Sequence, residues 1–409
     1  MWKASTLVLK VNNSTVKRIQ KAIREEGFHG WLFCNFRHRD RLSDEILNIP
    51  HGLTNSRYWF YFVPATGEPS ALVHAIEADH LDSLPGKKHT YVSRQDLLQF
   101  FNLFSGKYFA AHYSENLSAV SFLDAGMHAV LSGAGIKLVS AENLIQRFKG
   151  LLNEEGIASH ERAADALYGI VEKVWGFACS SFTDKKTIYE GDLRQIIEDE
   201  FVRLDMTRDH PPLAAAGVNS GNPHYDFSGC GREIQHGDII QLDLWARENS
   251  PTAMYADISW AGIFDAMAGP KEEKIFGDLA EAREKVFEFI DLSFFNGSSA
   301  VSPAAITGAQ VDAFCRSLLI EKGYENAIKH RTGHGIDTEV HGSGANIDSV
   351  EFPDTRLLLE GSCFSLEPGL YFPGYGFRTE VDVYIQGNRP HISGRGSVKQ
   401  GRQFKLLHC

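Results

Sequence analysis

Apolar and polar residues alternate along Gly237-Asp-Ile-Ile-Gln-Leu-Asp243 and again along Gly361-Ser-Cys-Phe-Ser-Leu-Glu367. Strict alternation predicts a β-strand with two unlike faces. Each stretch passes through a polar, Gly- or Pro-containing turn into another alternating run, Tyr255-Ala-Asp-Ile-Ser-Trp260 and Arg378-Thr-Glu-Val-Asp-Val383, so each predicts a hairpin. The period of two places Gln241, Asp243, Asp257, Ser259, Ser365, Glu367, Arg378, Glu380 and Asp382 on the polar faces. Ile240, Leu242, Leu244, Ile258, Phe364, Leu366, Val381 and Val383 take the apolar ones.

Before each hairpin the period changes to that of a helix. Ala163, Leu167, Ile170, Val171, Val174 and Phe177 predict a long helix from Ser159, after a break at Asn153-Glu-Glu-Gly-Ile157. Leu193, Ile196, Ile197 and Phe201 predict another, behind the capping-box pattern Thr187…Glu190. The order recurs with Leu279, Ala282, Val286, Phe289 and Ile290. It continues with Val311, Phe314, Leu318 and Leu319 behind Thr307…Gln310. Helix–helix–hairpin thus occurs twice, which predicts a pseudo-twofold α+β domain over 156–409 with its acids where the halves meet. Residues 1–155 read as a separate α/β domain, doubly wound or related. Its strands are expected at Gly30–Phe36, Tyr58–Val63, Ala71–Ala75 and Tyr108–His112, and its helices near Val16–Glu26 and Ala141–Leu152.

Composition narrows the class. The 409 residues are 43% hydrophobic and 23% charged, ordinary for a globular protein with substantial cores. A net charge of −11 argues against a nucleic-acid or anionic-membrane surface. No apolar run reaches the roughly 18 residues a membrane span needs. Met1–Lys10 lacks the apolar length and cleavage site of a secretory leader. Cys34, Cys179, Cys230, Cys315, Cys363 and Cys409 form no CxxC pair and read as reduced thiols of a cytoplasmic protein.

Carboxylates in strands this apolar are costly to bury unpaired. Asp243, Asp257, Glu367 and Glu380 together would neutralise a pair of divalent ions, so the default expectation is a metal or catalytic site. Between the hairpins lies His330-Arg-Thr-Gly-His334-Gly-Ile-Asp-Thr-Glu-Val-His341, and His224 precedes the first. Gly333 and Gly335 beside His334 predict a loop or irregular strand, not a helical His pair. Gly342-Ser-Gly-Ala345 lacks the Lys-Ser/Thr of a phosphate loop, and no Gly-x-Ser-x-Gly elbow occurs.

The Gly-His-Gly block, the Ser-Leu-Glu-Pro-Gly-Leu-Tyr block ending at Tyr371 and the Arg-Thr-Glu block ending at Glu380 resemble the pita-bread metallopeptidases. With the N-terminal domain, the chain is most similar to their Xaa-Pro aminopeptidase and prolidase branch, whose N-terminal domain is creatinase-like. The resemblance implies five metal ligands at Asp243, Asp257, His334, Glu367 and Glu380. It also implies two divalent ions, Mn²⁺ first, with Co²⁺, Fe²⁺ or Zn²⁺ also open. It implies that Glu367 moves the proton of the attacking water, that His341 or His330 donates to the oxyanion, and that His224 and Arg378 orient the substrate. The substrate would be a peptide with proline second, and the assembly a homodimer or homotetramer. Two other classes remain: a non-peptidase enzyme of the same fold (an amidinohydrolase or lyase), and a binding protein that lost its ligands, against which the filled positions argue. Two departures stand out. Asp243 and Asp257 are fourteen apart, which an insertion at Arg247–Thr252 would absorb, and Trp260 is expected at the pocket rim.

Overall fold

Strand β1 (Gly30–Asn35) is buried on both faces, so its sequence Gly-Trp-Leu-Phe-Cys-Asn carries no alternation. It pairs antiparallel with β2 (Trp59–Pro64), and β2 pairs antiparallel with β3 (Ser70–His74). Parallel pairing joins β3 to β4 (Lys87–Tyr91), β1 to β5 (Tyr108–Ala111) and β5 to β6 (Lys137–Ser140). Among the described residues, α1 (Asn13–Glu25), α2 (Arg41–Leu47), α3 (Arg94–Asn102), α4 (Ala125–Gly133) and α5 (Glu142–Lys149) cover this sheet. Side chains of α1, α2 and α5 pack on Trp31, Phe33, Trp59 and Tyr61. Those of α3 and α4 pack on Leu32, Phe60, Phe62 and Phe109. The middle of the sheet is therefore an antiparallel meander, a departure from uniform double winding. Strand β4 escapes the sequence pattern because its Lys-Lys-His-Thr run lies exposed at the sheet edge, where lysines discourage further pairing.

This computed structural model describes residues 11–50, 52–297, 306–394 and 402–409, the side chains of 295–297 excepted. The leader-peptide expectation for residues 1–10 lies outside them. The chain divides into compact units at Lys149/Gly150. Among the described residues, no helix is long and apolar enough to cross a membrane.

The second unit opens with α6 (Glu154–Thr183). The stretch read as a break is its first turn. The Asn153 side chain caps the Gly156 amide, and Glu154 and Glu155 favour the positive end of the helix dipole. Helix α7 (Glu190–Arg203) also departs from expectation. Its cap is at Tyr189, whose amide donates to Asp192 at 2.8 Å, not at Thr187. Glu190 is buried instead and accepts from the amides of Ala216 and Arg232, from Asn219 and from the Tyr225 hydroxyl.

Next come β7 (Met206–Thr207), β8 (Leu213–Ala216), β9 (Ile239–Glu248) and β10 (Ala256–Ile263). The β9–β10 ladder pairs Asp243 with Ser259 and Trp245 with Asp257. The longer spacing is taken up partly by the ladder itself. Strand β9 runs on through Arg247 and Glu248, which pair with β7, and only residues 249–255 form the connection. The other half repeats the plan with α8 (Pro270–Gly297), α9 (Gly308–Glu321), β11 (Cys363–Leu366), β12 (Gly369–Phe372), β13 (Tyr375–Arg378) and β14 (Val381–Gln386). Thr307 and Gln310 cap α9 reciprocally, as the pattern predicts. Strand β15 (Arg389–Ile392) extends the β11–β14 sheet, and β16 (Leu407–His408) adds to β10.

Helices α6 and α7 pack on Leu242, Leu244, Ile258 and Trp260, while α8 and α9 pack on Phe364, Leu366, Val381 and Val383. Each such burial contributes roughly 1.5–3 kcal/mol, offsetting the cost of acids on the opposite faces. Trp260 corrects the sequence reading. It is 8% exposed, stands 6.1 Å from the Tyr168 ring of α6 and does not reach the pocket rim, because it occupies the apolar face of β10.

Candidate active site

The polar faces of the two hairpins meet across a cavity of about 640 Å³. Asp243, Asp257, His334, Glu367, Glu380, His224, His330, His341 and Arg378 all line it. Bonds from backbone amides fix the seam between the halves: the Asp257 amide donates to Asp382 Oδ2 at 2.8 Å, and the Glu380 amide to Ser259 O at 3.1 Å.

His334 sits in an irregular strand bridged to Ile347 through Gly333 and to Phe364 through Gly335. A Cβ on Gly333 would lie 1.9 Å from Ser365 O, and one on Gly335 2.8 Å from the Gly344 backbone, so the Gly-His-Gly block is a close-packing requirement. His334 Nδ1 lies 3.3 Å from Gly335 O, which favours the proton there and leaves the Nε2 lone pair free. That Nε2 is 3.4 Å from Glu367 Oε1 and 3.6 Å from Asp257 Oδ2.

Donor atoms of Asp257, His334 and Glu380 all lie within 4.8 Å of one another, all three side chains buried. Asp257 Oδ1 and Glu380 Oε1 have no hydrogen-bond partner. Burial and their negative neighbours push both carboxyls well above the usual range. Glu367 goes the other way. Burial raises its carboxyl, but His334, His330 and Arg378 together bring it below the ordinary value. Buried carboxylates with unused oxygens around a free imidazole lone pair are the donor set a hard divalent cation needs, so the residues fit the metal the sequence implies.

Asp243 joins the cluster through Arg378 and Ser259. Arg378 Nη2 donates to Asp243 Oδ2, and its Nε donates to Ser259 Oγ at 2.9 Å. Ser259 Oγ is 2.7 Å from Asp243 Oδ1 and 2.8 Å from Glu380 Oε2. One hydroxyl proton cannot serve both carboxylates, so the second contact needs a proton on an acid, and burial beside Asp257 and Glu367 raises the Glu380 pKa in that direction.

The histidines differ. His330 Nδ1 is 2.7 Å from Arg331 O and its Nε2 2.8 Å from the Tyr371 hydroxyl, so both ring nitrogens are engaged. Burial lowers its pKa and favours the neutral ring. His341 stands 4.3 Å from the His334 ring, which, with loss of solvent, pushes its pKa down to about 3. His224 is exposed to the cavity at a turn capped by Asn222.

Sequence reading missed Trp245 and Asp209 in the wall, and the part played by Tyr371. Trp245 lies cross-strand from Asp257 and its Nε1 donates to Asp209 Oδ1 at 2.7 Å. The period that placed Asp243 inward also places Trp245 inward, two residues on, so the signal was present. Tyr371 links His330 to Arg378 Nη1, 3.3 Å away. No sequence period reveals that link.

Residues 158–387 match metallopeptidase family M24, and the chain belongs to that family. A probable dipeptidase, PepE, of Mycobacterium bovis is 26% identical over 257 residues, covering 61% of this chain and 60% of that protein's length. A putative Xaa-Pro aminopeptidase of Mycoplasma genitalium is 26% identical, covering 69% of each. Among solved structures, dipeptidase PepE of Mycobacterium ulcerans superposes with a TM-score of 0.70 at 20% identity, covering 97% of both chains, and establishes the pita-bread fold.

Proposed function

We propose that the chain is a Xaa-Pro peptidase that removes the residue preceding a proline, using a pair of divalent ions held by Asp243, Asp257, His334, Glu367 and Glu380. The observation that carries this reading is the gathering of buried Asp257, His334 and Glu380, with donor atoms within 4.8 Å of one another, each carboxylate keeping one oxygen without a partner and the imidazole a free lone pair. When bound, the ions would acidify a water and polarise the scissile carbonyl. Mn²⁺ suits the oxygen-rich donors best. The working form we propose is a cytoplasmic homodimer or homotetramer.

The protein's own groups divide the remaining work. Glu367, with its carboxyl held below the ordinary value, is ionised and ready to accept a proton from the attacking water. It then delivers that proton to the leaving nitrogen, which a proline ring cannot leave without. The oxyanion donor is His341. His330 has its Nδ1 on Arg331 O and its Nε2 on the Tyr371 hydroxyl, leaving no ring N–H for substrate. His330 instead holds Tyr371 and, through it, Arg378. His224 at the cavity wall orients the peptide.

The test is a panel of Xaa-Pro dipeptides, Xaa-Pro-Xaa tripeptides and matched peptides with alanine second, read by mass spectrometry with metal-stripped and Mn²⁺-reloaded protein. Metal-dependent release of the first residue only where proline follows supports the proposal, and the length preference separates dipeptidase from aminopeptidase. A folded, metal-loaded protein that cleaves none of them points to a small-molecule C–N hydrolase or lyase on this fold.

A further inference from the structure

Away from the cavity, the sulfurs of Cys179 and Cys409 stand 2.7 Å apart. Cys179 is in the penultimate turn of α6. Cys409 follows β16, and its placement is fixed by backbone bonds. Strand β16 pairs in parallel with β10 through Gly262↔Leu407 and Ile263↔His408, and the Cys409 amide donates to Asp265 O at 2.9 Å. Upstream, Gln403 accepts from the Ala261 amide at 3.0 Å and donates to the Ala261 carbonyl. The other wall is equally constrained. Helix α6 lies so close to β10 that a Cβ on Gly262 would fall 2.2 Å from the Trp175 ring. Both cysteines are partly exposed, and both are free thiols. The remaining thiols differ: Cys34, Cys315 and Cys363 are buried, and Cys230 is exposed.

We propose that Cys179 and Cys409 are a disulfide site, closed by an oxidising thiol couple such as glutathione disulfide. The bond fastens segment 402–409 to α6 behind the strand that carries Asp257. This inference does not depend on the proposed activity.

The chemistry balances as two exchanges. One protein thiol loses its proton and attacks glutathione disulfide, forming a mixed disulfide and releasing one glutathione thiolate, which takes up a proton. The second protein sulfur loses its proton and attacks the mixed disulfide, releasing the other glutathione. Two protein thiols are oxidised and one glutathione disulfide is reduced to two glutathiones. Burial and the adjacent Cys179 raise the pKa of the Cys409 thiol, which slows its own attack on an oxidant. The partners are 230 residues apart in sequence, so the bond removes much loop entropy from the unfolded chain.

The full-length protein is incubated with glutathione disulfide, denatured, alkylated without reductant and mapped by mass spectrometry. The expected result is a linked peptide pair containing Cys179 and Cys409. The Tm should lie roughly 5–10 °C above that in dithiothreitol, and Cys179→Ser or Cys409→Ser should abolish the difference. Exposed Cys230 is the internal control for oxidant delivery. If it carries glutathione while Cys179 and Cys409 are recovered alkylated or singly glutathionylated, the disulfide site is refuted. A linked pair with no rise in Tm refutes the fastening.

Discussion

Arg378 and Asp243 form an ion pair across the seam between the two hairpins, the guanidinium 5% exposed and the carboxylate 14%. This arginine also donates from Nε to Ser259 Oγ at 2.9 Å, so its charge lies against the acidic cluster. Removing it leaves buried carboxylates uncompensated, which costs about 3–5 kcal/mol for such a pair. Arg378→Ala should therefore lower the stability of metal-free protein by that order in urea melts. Divalent ions would restore part of the missing charge, so the loss should be smaller in Mn²⁺-loaded protein. Equal losses in both states would show that the arginine and the ions do not share a task.

Asp257 and Glu380 have folded pKa values above their unfolded ones, mainly through burial. The unfolded chain then ionises first, so their contribution turns unfavourable as pH rises past the ordinary carboxylate range and grows until the raised values are passed. Glu367, with a depressed folded pKa, contributes stability present above its unfolded value and lost as pH falls through the folded one. Asp257→Asn should raise the Tm of metal-free protein at neutral pH and flatten its decline with pH, while destroying metal binding. A Tm below wild type at neutral pH would contradict the assignment of a buried, strained carboxyl.

The same raised values mean that a cation must displace protons. Adding Mn²⁺ to metal-free protein in weak buffer near neutral pH should acidify the solution, and Asp257→Asn should release fewer protons. Binding without proton release would place the ions elsewhere.

Trp245, held by Asp209 beside Asp257, offers an apolar wall where the first residue of a peptide would lie. Trp245→Ala should reduce kcat/KM for Leu-Pro relative to Gly-Pro by roughly tenfold. An unchanged ratio would remove Trp245 from substrate choice.

How much of this was legible in the sequence depended on whether burial was one-sided. Strands β9, β10, β11 and β14 each have one polar and one apolar face, so alternation alone places Asp243, Asp257 and Asp382 on the polar side. The repeat of helix pair and hairpin was visible for the same reason. Strand β4 and helices α2, α3 and α4 were not, because an exposed edge or a short helix leaves no strong period. Trp260 is expected at the rim only as a departure from the family pattern, and the face rule puts it against Tyr168 instead. Glu190 reads as a helix cap in the sequence, yet its four donors come from the end of β8 and from the segment between β8 and β9, brought together only by the fold.

The central claim, that the acids of two hairpins and His334 hold a pair of ions, is tested most directly by counting them. Metal-stripped protein is dialysed against Mn²⁺, freed of excess by gel filtration and analysed by inductively coupled plasma mass spectrometry, beside Asp257→Asn and Glu380→Gln. The account requires two ions per folded wild-type chain and a marked deficit in both variants. A folded wild type that retains none, or variants that retain as many as wild type, would contradict it.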